Sequence, residues 1–300
     1  MSPASISGKD TFDIEVAGGT LHVGRWGRGP RTLLAIHGIT ANHTSMHALA
    51  DALGDGFTVI APDLRGRGGS ANVAGPFGMA PHADDMVAVL DHLGIEQTDV
   101  LGHSMGAFVA VVLAHRAPGR VKRLILVDGG LPLDLPDALK ELPVDELVTA
   151  VIGPALQRLE MTFESVDAYL DFWRPHPALA DDWNDYVDEH YRYDLVGEPP
   201  ALRSGVNKEA ILADGGSELK EPDVTQALES FTHPAYLLRA PRGLFNQVPP
   251  LYTDEWAAEW KAKLPTLRDT VVPDVNHYTI GLAERGAGAV ADVVRAESWG

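Results

Sequence analysis

The stretch TDVLGHSMGAFVAVVLAHR (98–116) limits what this chain can fold into more than any other segment. TDVLG is an apolar run of strand length, and MGAFVAVVLAHR is an apolar run of helix length that reaches its first fixed charge only at Arg116. A buried strand passing directly into a buried helix leaves room for one very tight bend between them. Gly102 and Gly106, two residues to either side of Ser104, lack the Cβ atoms that would collide where the two arms approach. A serine held on such a bend is lifted out of the sheet with its hydroxyl exposed. Taken alone the pattern is also that of a flexible turn. To serve as a nucleophile Ser104 needs a base, an acid and an oxyanion site elsewhere in the chain.

The rest of the sequence repeats the strand–helix rhythm. The expected strands are FDIEV (12–16), TLHVGRW (20–26), TLLAIH (32–37), FTVIA (57–61), TDVLG (98–102), RLILVD (123–128), AYLLRA (235–240) and DTVVP (269–273). Gly18-Gly19 joins the first two as a hairpin, and the later runs are continuously apolar, as parallel strands covered on both faces must be. Helical periodicity falls near 43–53, 80–94, 105–117, 252–263 and 282–298. This predicts an α/β protein with a mostly parallel, eight-stranded sheet flanked by helices. Residues 131–232 break the rhythm with prolines, no convincing strand and helical segments such as ADDWNDYVDEHYRY (180–193). They are expected to form a helical cap on a core made of residues 1–130 and 233–300.

Charge excludes several partners. The net charge is −18, and residues 131–230 alone hold 22 acidic against 7 basic side chains. Nucleic acid is therefore not expected as a partner, and polyanionic ligands near the insertion are disfavoured. Cysteine is absent, so there is no thiolate metal site and no disulfide. His43 and His47 are spaced i,i+4 but lack the glutamate and third ligand of a zinc motif, so no metal and no cofactor is expected. AFVAVVLA (107–114) is too short to span a bilayer, and MSPASISGKD has neither a basic nor an apolar leader region. A cytoplasmic protein with no membrane partner is expected, acting on a small molecule. The sequence admits a homodimer without specifying one.

In order along the chain stand HGIT (37–40) after the third strand, PDLRGRGGS (62–70) after the fourth, GHSMG (102–106), and His277 in PDVNHYTIGL after the last strand. With these motifs nearly the whole chain resembles the α/β-hydrolase family of GxSxG serine hydrolases. The resemblance implies an α/β-hydrolase fold with the cap inserted after strand six, Ser104 as nucleophile and His277 as base. It also implies an oxyanion hole made by the backbone N–H groups of Ile39 and Met105. His37 and His103 are then structural neighbours of the site, and Asp63 and Arg65 brace the loop beside it.

The acid departs from the commonest family pattern. Many relatives carry an aspartate in the loop after the seventh strand, but here that loop reads APRGLFNQVPPLY (240–252), with no carboxylate before Asp254. Asn246 could orient an imidazole but not balance its charge. Asp128, closing RLILVD, is the favoured acid; Asp254 is the alternative, and an acid-free site is the third. The implied chemistry is acyl transfer on a carboxylic ester or lactone of a mid-sized, neutral, apolar or aromatic molecule. Carbon–carbon bond hydrolysis and a non-catalytic receptor on the same scaffold are the alternatives. Cap aromatics, among them Phe163, Tyr169, Phe172, Trp173, Tyr191 and Tyr193, either line the pocket or fill the cap's own core. Trp183, Tyr186 and Tyr278 are the ones expected to face substrate.

Overall fold

The computed structural model describes residues 9–298 apart from 221. Eight strands build one sheet: β1 (Asp10–Val16), β2 (Gly19–Trp26), β3 (Arg31–Ile36), β4 (Phe57–Pro62), β5 (Thr98–His103), β6 (Val121–Val127), β7 (Ala235–Arg239) and β8 (Leu267–Val271). Their spatial order is β1-β2-β4-β3-β5-β6-β7-β8. β1 pairs antiparallel with β2 through the turn at Gly18, β2 pairs antiparallel with β4, and every later pairing is parallel. The chain thus has the eight-stranded, mostly parallel sheet that the alternating apolar runs predict.

Three helices fall between the early strands: α1 (His47–Leu53), α2 (Met79–His92) and α3 (Met105–Arg116). After β6 come α4 (Val144–Ile152), α5 (Val166–Trp173), α6 (Asp185–Asp194), α7 (Lys208–Lys220) and α8 (Asp223–Glu229), with α9 (Asp254–Lys263) and α10 (Glu284–Arg295) following β7 and β8. Two apolar layers sandwich the sheet. α2, α3 and α8 pack on one face through Met86, Val109, Leu113 and Val224, while α1 and α10 pack on the other through Leu49, Leu53, Val290 and Val294. Between the layers the inner residues of β3 and β5, such as Leu34 and Val100, are fully buried, which is why these strands read as unbroken apolar runs.

The insertion has its own core. Ser165 caps α5 by accepting the Ala168 N–H at 3.1 Å, and Asn184 caps α6 by accepting from Tyr186 and Val187 at 2.9 and 3.1 Å. The caps orient both helices so that Tyr169, Leu170 and Trp173 meet Val187 and Tyr191, with Phe163 and Leu179 alongside. Two features differ from the sequence expectation. A two-residue antiparallel ribbon, Leu195–Val196 with Arg203–Ser204, lies where no strand is expected; pieces this short carry no alternation to read. α8, which the sequence places with the insertion, packs on α3 with Val224, Ala227 and Leu228 in the core layer.

Candidate active site

β3, β5, β6 and β7 are consecutive neighbours in the sheet and run parallel, so their carboxyl ends open along one edge. Segments far apart in sequence meet there: the loop after Ile36, Ser104, Asp128, and the loop after Arg239. Site residues in open parallel sheets collect at such an edge because the loops there are free of ladder hydrogen bonds.

Ser104 sits between β5 and α3 with φ 54° and ψ −126°. A Cβ on Gly102 would come within 2.2 Å of the Gly106 carbonyl oxygen, and one on Gly106 within 2.2 Å of the Ile36 carbonyl oxygen. Both positions therefore require glycine, and the bend they permit forces the positive φ on Ser104. A strained conformation of this kind costs about 1–3 kcal/mol and is held by the packing around it.

His277 and Asp128 reach Ser104 from beyond other strands. His277 Nε2 lies 3.0 Å from Ser104 Oγ, and its Nδ1 lies 2.8 Å from Asp128 Oδ2. Asp128 is buried at 1% exposure, and its other oxygen accepts the Ala240 N–H at 3.0 Å. A carboxylate that only accepts fixes the hydrogen of His277 on Nδ1, leaving the Nε2 lone pair toward the serine hydroxyl. Asp128 also has a positive φ of 46°. Main-chain hydrogen bonds hold His277 from both sides: its N–H donates to the Arg242 carbonyl at 3.1 Å, and its carbonyl accepts from His103 Nε2 at 2.8 Å. Burial, reinforced by the neighbouring His277, holds the His103 imidazole down to about 3, so it acts as a neutral donor.

The other acid candidates lie elsewhere. Asp254 is exposed and pairs with Arg239 at 2.8 Å. Asn246 Oδ1 accepts from Arg242 Nε at 2.6 Å and from Asn276 Nδ2 at 3.2 Å, so it does not reach the His277 ring.

The loop after β3 is pinned carbonyl by carbonyl. The Gly38 oxygen accepts from His37 Nδ1 at 2.8 Å and from the Ala41 N–H at 3.1 Å. The Ile39 oxygen accepts from Arg67 Nε at 2.9 Å, and the Thr40 oxygen from Arg158 Nη2 at 3.1 Å. His37 Nε2 in turn accepts the Leu64 N–H at 2.9 Å; burial keeps this imidazole at about 3, neutral and with its hydrogen on Nδ1. While the Gly38, Ile39 and Thr40 carbonyls are engaged, the Ile39 N–H has no partner among the described residues, and neither has the Met105 N–H at the start of α3. Ile39 lines the cavity beside Ser104, while the Met105 side chain is fully buried behind it, its sulfur 4.0 Å from Arg67 Nη2.

Asp63 and Arg65 brace this region. Buried Asp63 accepts from the His43 N–H at 2.6 Å, the Gly69 N–H at 2.8 Å and the Tyr193 hydroxyl at 2.7 Å. Burial alone raises its carboxyl, but the hydrogen bond and charge of His43 outweigh that and hold it at about 2. Arg65 forms a two-pronged pair with Asp85 at 2.5 and 2.7 Å. His43 is therefore spent on Asp63, and His47 faces Glu189; no metal-binding cluster occurs among the described residues.

Ser104, His277 and Asp128 line a mostly apolar cavity to which residues of 131–232 also contribute. Tyr278 lines it, together with Trp173, Tyr191 and His190. Trp183 and Tyr186 do not, which corrects the sequence expectation. Trp183 stacks over Arg174 and Tyr191 in the insertion's own core, and Tyr186 turns to α1, where its hydroxyl meets Asp51 at 2.7 Å. Helical spacing shows that residues share a face but not which neighbour that face meets. Sequence reasoning also passed over Arg67, Arg158 and Glu218. Arg158 carried a signal: it is one of only 7 basic residues in an acidic stretch, and it is buried, contacting Asp194 and Tyr169. Glu218 is the one carboxylate besides Asp128 that lines the cavity, and no lysine or arginine lines it among the described residues. No described helix is long and apolar enough to cross a membrane.

Comparison with known proteins places the chain. An uncharacterized protein of Mycobacterium tuberculosis is 43% identical over 104 residues, which is 35% of this chain and 30% of that protein, so the chain matches about a third of the length of such relatives. The N-formylmaleamate deformylase of Pseudomonas putida is 31% identical over 245 residues, covering 76% of this chain and 80% of the relative. A solved structure of E-2-(acetamidomethylene)succinate hydrolase superposes with a TM-score of 0.77 at 23% identity, over 96% of this chain and 100% of that one, which is a likeness of fold. The family model described as alpha/beta hydrolase fold matches residues 31–196, more than half of the sequence. The order of the strands, the bend at Ser104 and these matches agree: the chain belongs to the alpha/beta hydrolase fold family.

Proposed function

We propose that this protein is a serine hydrolase that cleaves a carboxylic ester or lactone of a mid-sized, neutral, apolar or aromatic small molecule. The observation that carries the proposal is the continuous relay from Ser104 Oγ through His277 to Asp128, at 3.0 and 2.8 Å, opening into an apolar cavity. His277 Nε2 takes the hydroxyl proton as Ser104 Oγ bonds to the substrate carbonyl carbon. The oxygen that becomes negative is met by the unpartnered N–H groups of Ile39 and Met105. His277 then gives its proton to the departing oxygen as that bond breaks. A water, deprotonated by the same imidazole, releases the acyl group and restores Ser104. Asp128 balances the imidazolium formed in each half-reaction.

The names of the deformylase and the succinate hydrolase denote carboxylate-bearing substrates. A cavity without lysine or arginine supplies no counter-charge for these, which favours a neutral substrate here. The relay is equally suited to cleaving a carbon–carbon bond beside a carbonyl, and product analysis with an ester and a matched diketone separates the two readings. The first test is a fluorophosphonate probe with a series of p-nitrophenyl esters. The expected result is labelling at Ser104 and ester turnover, both abolished in Ser104→Ala, with kcat lowered by roughly five to six orders of magnitude. An unlabelled, inactive wild-type protein would instead favour a receptor on this scaffold.

A further inference from the structure

Glu218 lies in the last turn of α7 and lines the cavity that Ser104 opens into. The same cavity is lined by apolar Val148, Ile152, Leu219 and Leu251, and by Tyr252. α4 presents only Val148, Val151 and Ile152 to this space. The charged groups nearby are already engaged. Asp214, one turn earlier on α7, is held by Arg67, by His82 at 2.9 Å and by the Gly78 N–H at 2.6 Å. Lys220 reaches out to the Leu142 carbonyl, and the Tyr252 hydroxyl donates to the Leu131 carbonyl at 2.7 Å. No hydrogen bond from the described residues reaches the Glu218 carboxyl.

A carboxyl left without a partner in an apolar wall is costly in its charged form. Glu218 is half-buried; its desolvation in the cavity wall, reinforced by the negative charge of Asp214, raises it to about 8, so at neutral pH it keeps its proton. A protonated carboxyl is a hydrogen-bond donor as well as an acceptor. In a pocket lined by apolar side chains, one such group fixes the orientation of whatever enters.

We propose that Glu218 is a specificity-determining residue that donates a hydrogen bond to a neutral oxygen acceptor, such as a ketone or ester carbonyl, on the part of the substrate remote from the reacting carbonyl. A neutral acceptor satisfies the donor without ionising it. A cationic group would have to ionise Glu218 against both burial and Asp214, so the neutral acceptor is favoured.

The proposal rests on the hydrolase reading for its meaning, but its test is a binding measurement that does not depend on turnover. Oxoheptanoyl anilides, with the ketone stepped along the chain, are compared with heptanoyl anilide by calorimetry on Ser104→Ala protein. One ketone position is expected to bind about tenfold more tightly than the plain chain, the size of one well-made buried hydrogen bond. Glu218→Gln, which keeps an N–H donor, preserves the preference, and Glu218→Leu abolishes it. The preference fades above about pH 8 while Glu218 is present and is pH-independent in the Glu218→Gln variant, a split that mere packing would not produce. An unchanged preference in Glu218→Leu, or tighter binding of a terminal ammonium analogue than of any ketone, overturns the proposal. Absence of ester turnover in the wild type overturns the hydrolase reading instead and leaves this binding result to stand or fall by itself.

Discussion

His277 Nδ1 meets Asp128 Oδ2 at 2.8 Å, a carboxylate that closes β6. The loop after β7 supplies only Asn246, which is turned toward Arg242, and exposed Asp254, which is paired with Arg239. Asp128→Asn is expected to lower kcat by roughly 10⁴-fold, because the amide can leave the imidazole hydrogen on the wrong nitrogen. Asp254→Asn should change kcat by less than about twofold, as surface substitutions usually do. Steady-state kinetics on p-nitrophenyl acetate reads both, and equal losses would move the acid away from Asp128.

Arg67 joins the Ile39 carbonyl, on the loop beside Ser104, to Asp214 on α7. Arg67→Met removes the arginine partner of buried Asp214, leaving it His82 and the Gly78 N–H, and is expected to cost about 3 kcal/mol in urea unfolding. Adding Asp214→Asn should recover part of that loss, with a coupling of about 1–3 kcal/mol. Additive losses in the two variants would show that the pair is not an energetic unit.

Stability should peak near neutral pH. Burial holds His37 and His103 at about 3 and His190 at about 4, below the ordinary imidazole value of 6.5. The unfolded chain takes up these protons and the native one does not, so this contribution is complete above about pH 6.5 and is lost as pH falls. Glu218 acts in the opposite sense. The folded protein keeps its proton up to about 8 and the unfolded chain loses it near 4.5, so its contribution is lost as pH rises between those values. Near pH 5 three protons oppose one, which gives a net slope of at most about 3 kcal/mol per pH unit. Urea midpoints from pH 4.5 to 9 should rise to about pH 6.5 and then decline, and Glu218→Gln should flatten the alkaline decline. A midpoint that keeps rising through pH 8 would contradict this.

Tyr278 lines the cavity, while Trp183 and Tyr186 point into other packing. Tyr278→Ala is expected to raise KM for aromatic esters by about tenfold through lost ring burial. Trp183→Ala and Tyr186→Phe should leave KM within about twofold, with any loss appearing in thermal stability. KM and melting temperature measured on the same preparations distinguish the two classes, and a larger KM effect at Trp183 would place it in the pocket after all.

The sheet was legible because buried parallel strands leave continuous apolar runs such as TLLAI and RLILV, and the glycines around Ser104 betray how closely β5 and α3 approach. His277 was singled out by the resemblance and Asp128 by the lack of a carboxylate in 240–252, and the two side chains lie 2.8 Å apart. What escaped was whatever depends on side-chain direction. α6 carries Tyr186 and Tyr191 on a buried face, yet one meets α1 and the other the cavity. Glu218 counts in the sequence as one more acid in an acidic segment, and only the packing of α7 turns it inward. Arg67 and Arg158 donate to adjacent carbonyls of the loop after β3, and nothing in their spacing announces a common target.

The segment 240–253 touches the Ser104–His277–Asp128 arrangement only through its main chain, the Ala240 N–H to Asp128 and the Arg242 carbonyl to the His277 N–H. Leu244, Leu251 and Tyr252 from that segment line the cavity. The side chains of this segment that shape the cavity are therefore distinct from those of Ser104, His277 and Asp128. Replacements at Leu244 and Leu251 could retune which molecules fit while leaving the chemistry intact, which makes this segment the natural starting place for diversification, by evolution or in the laboratory.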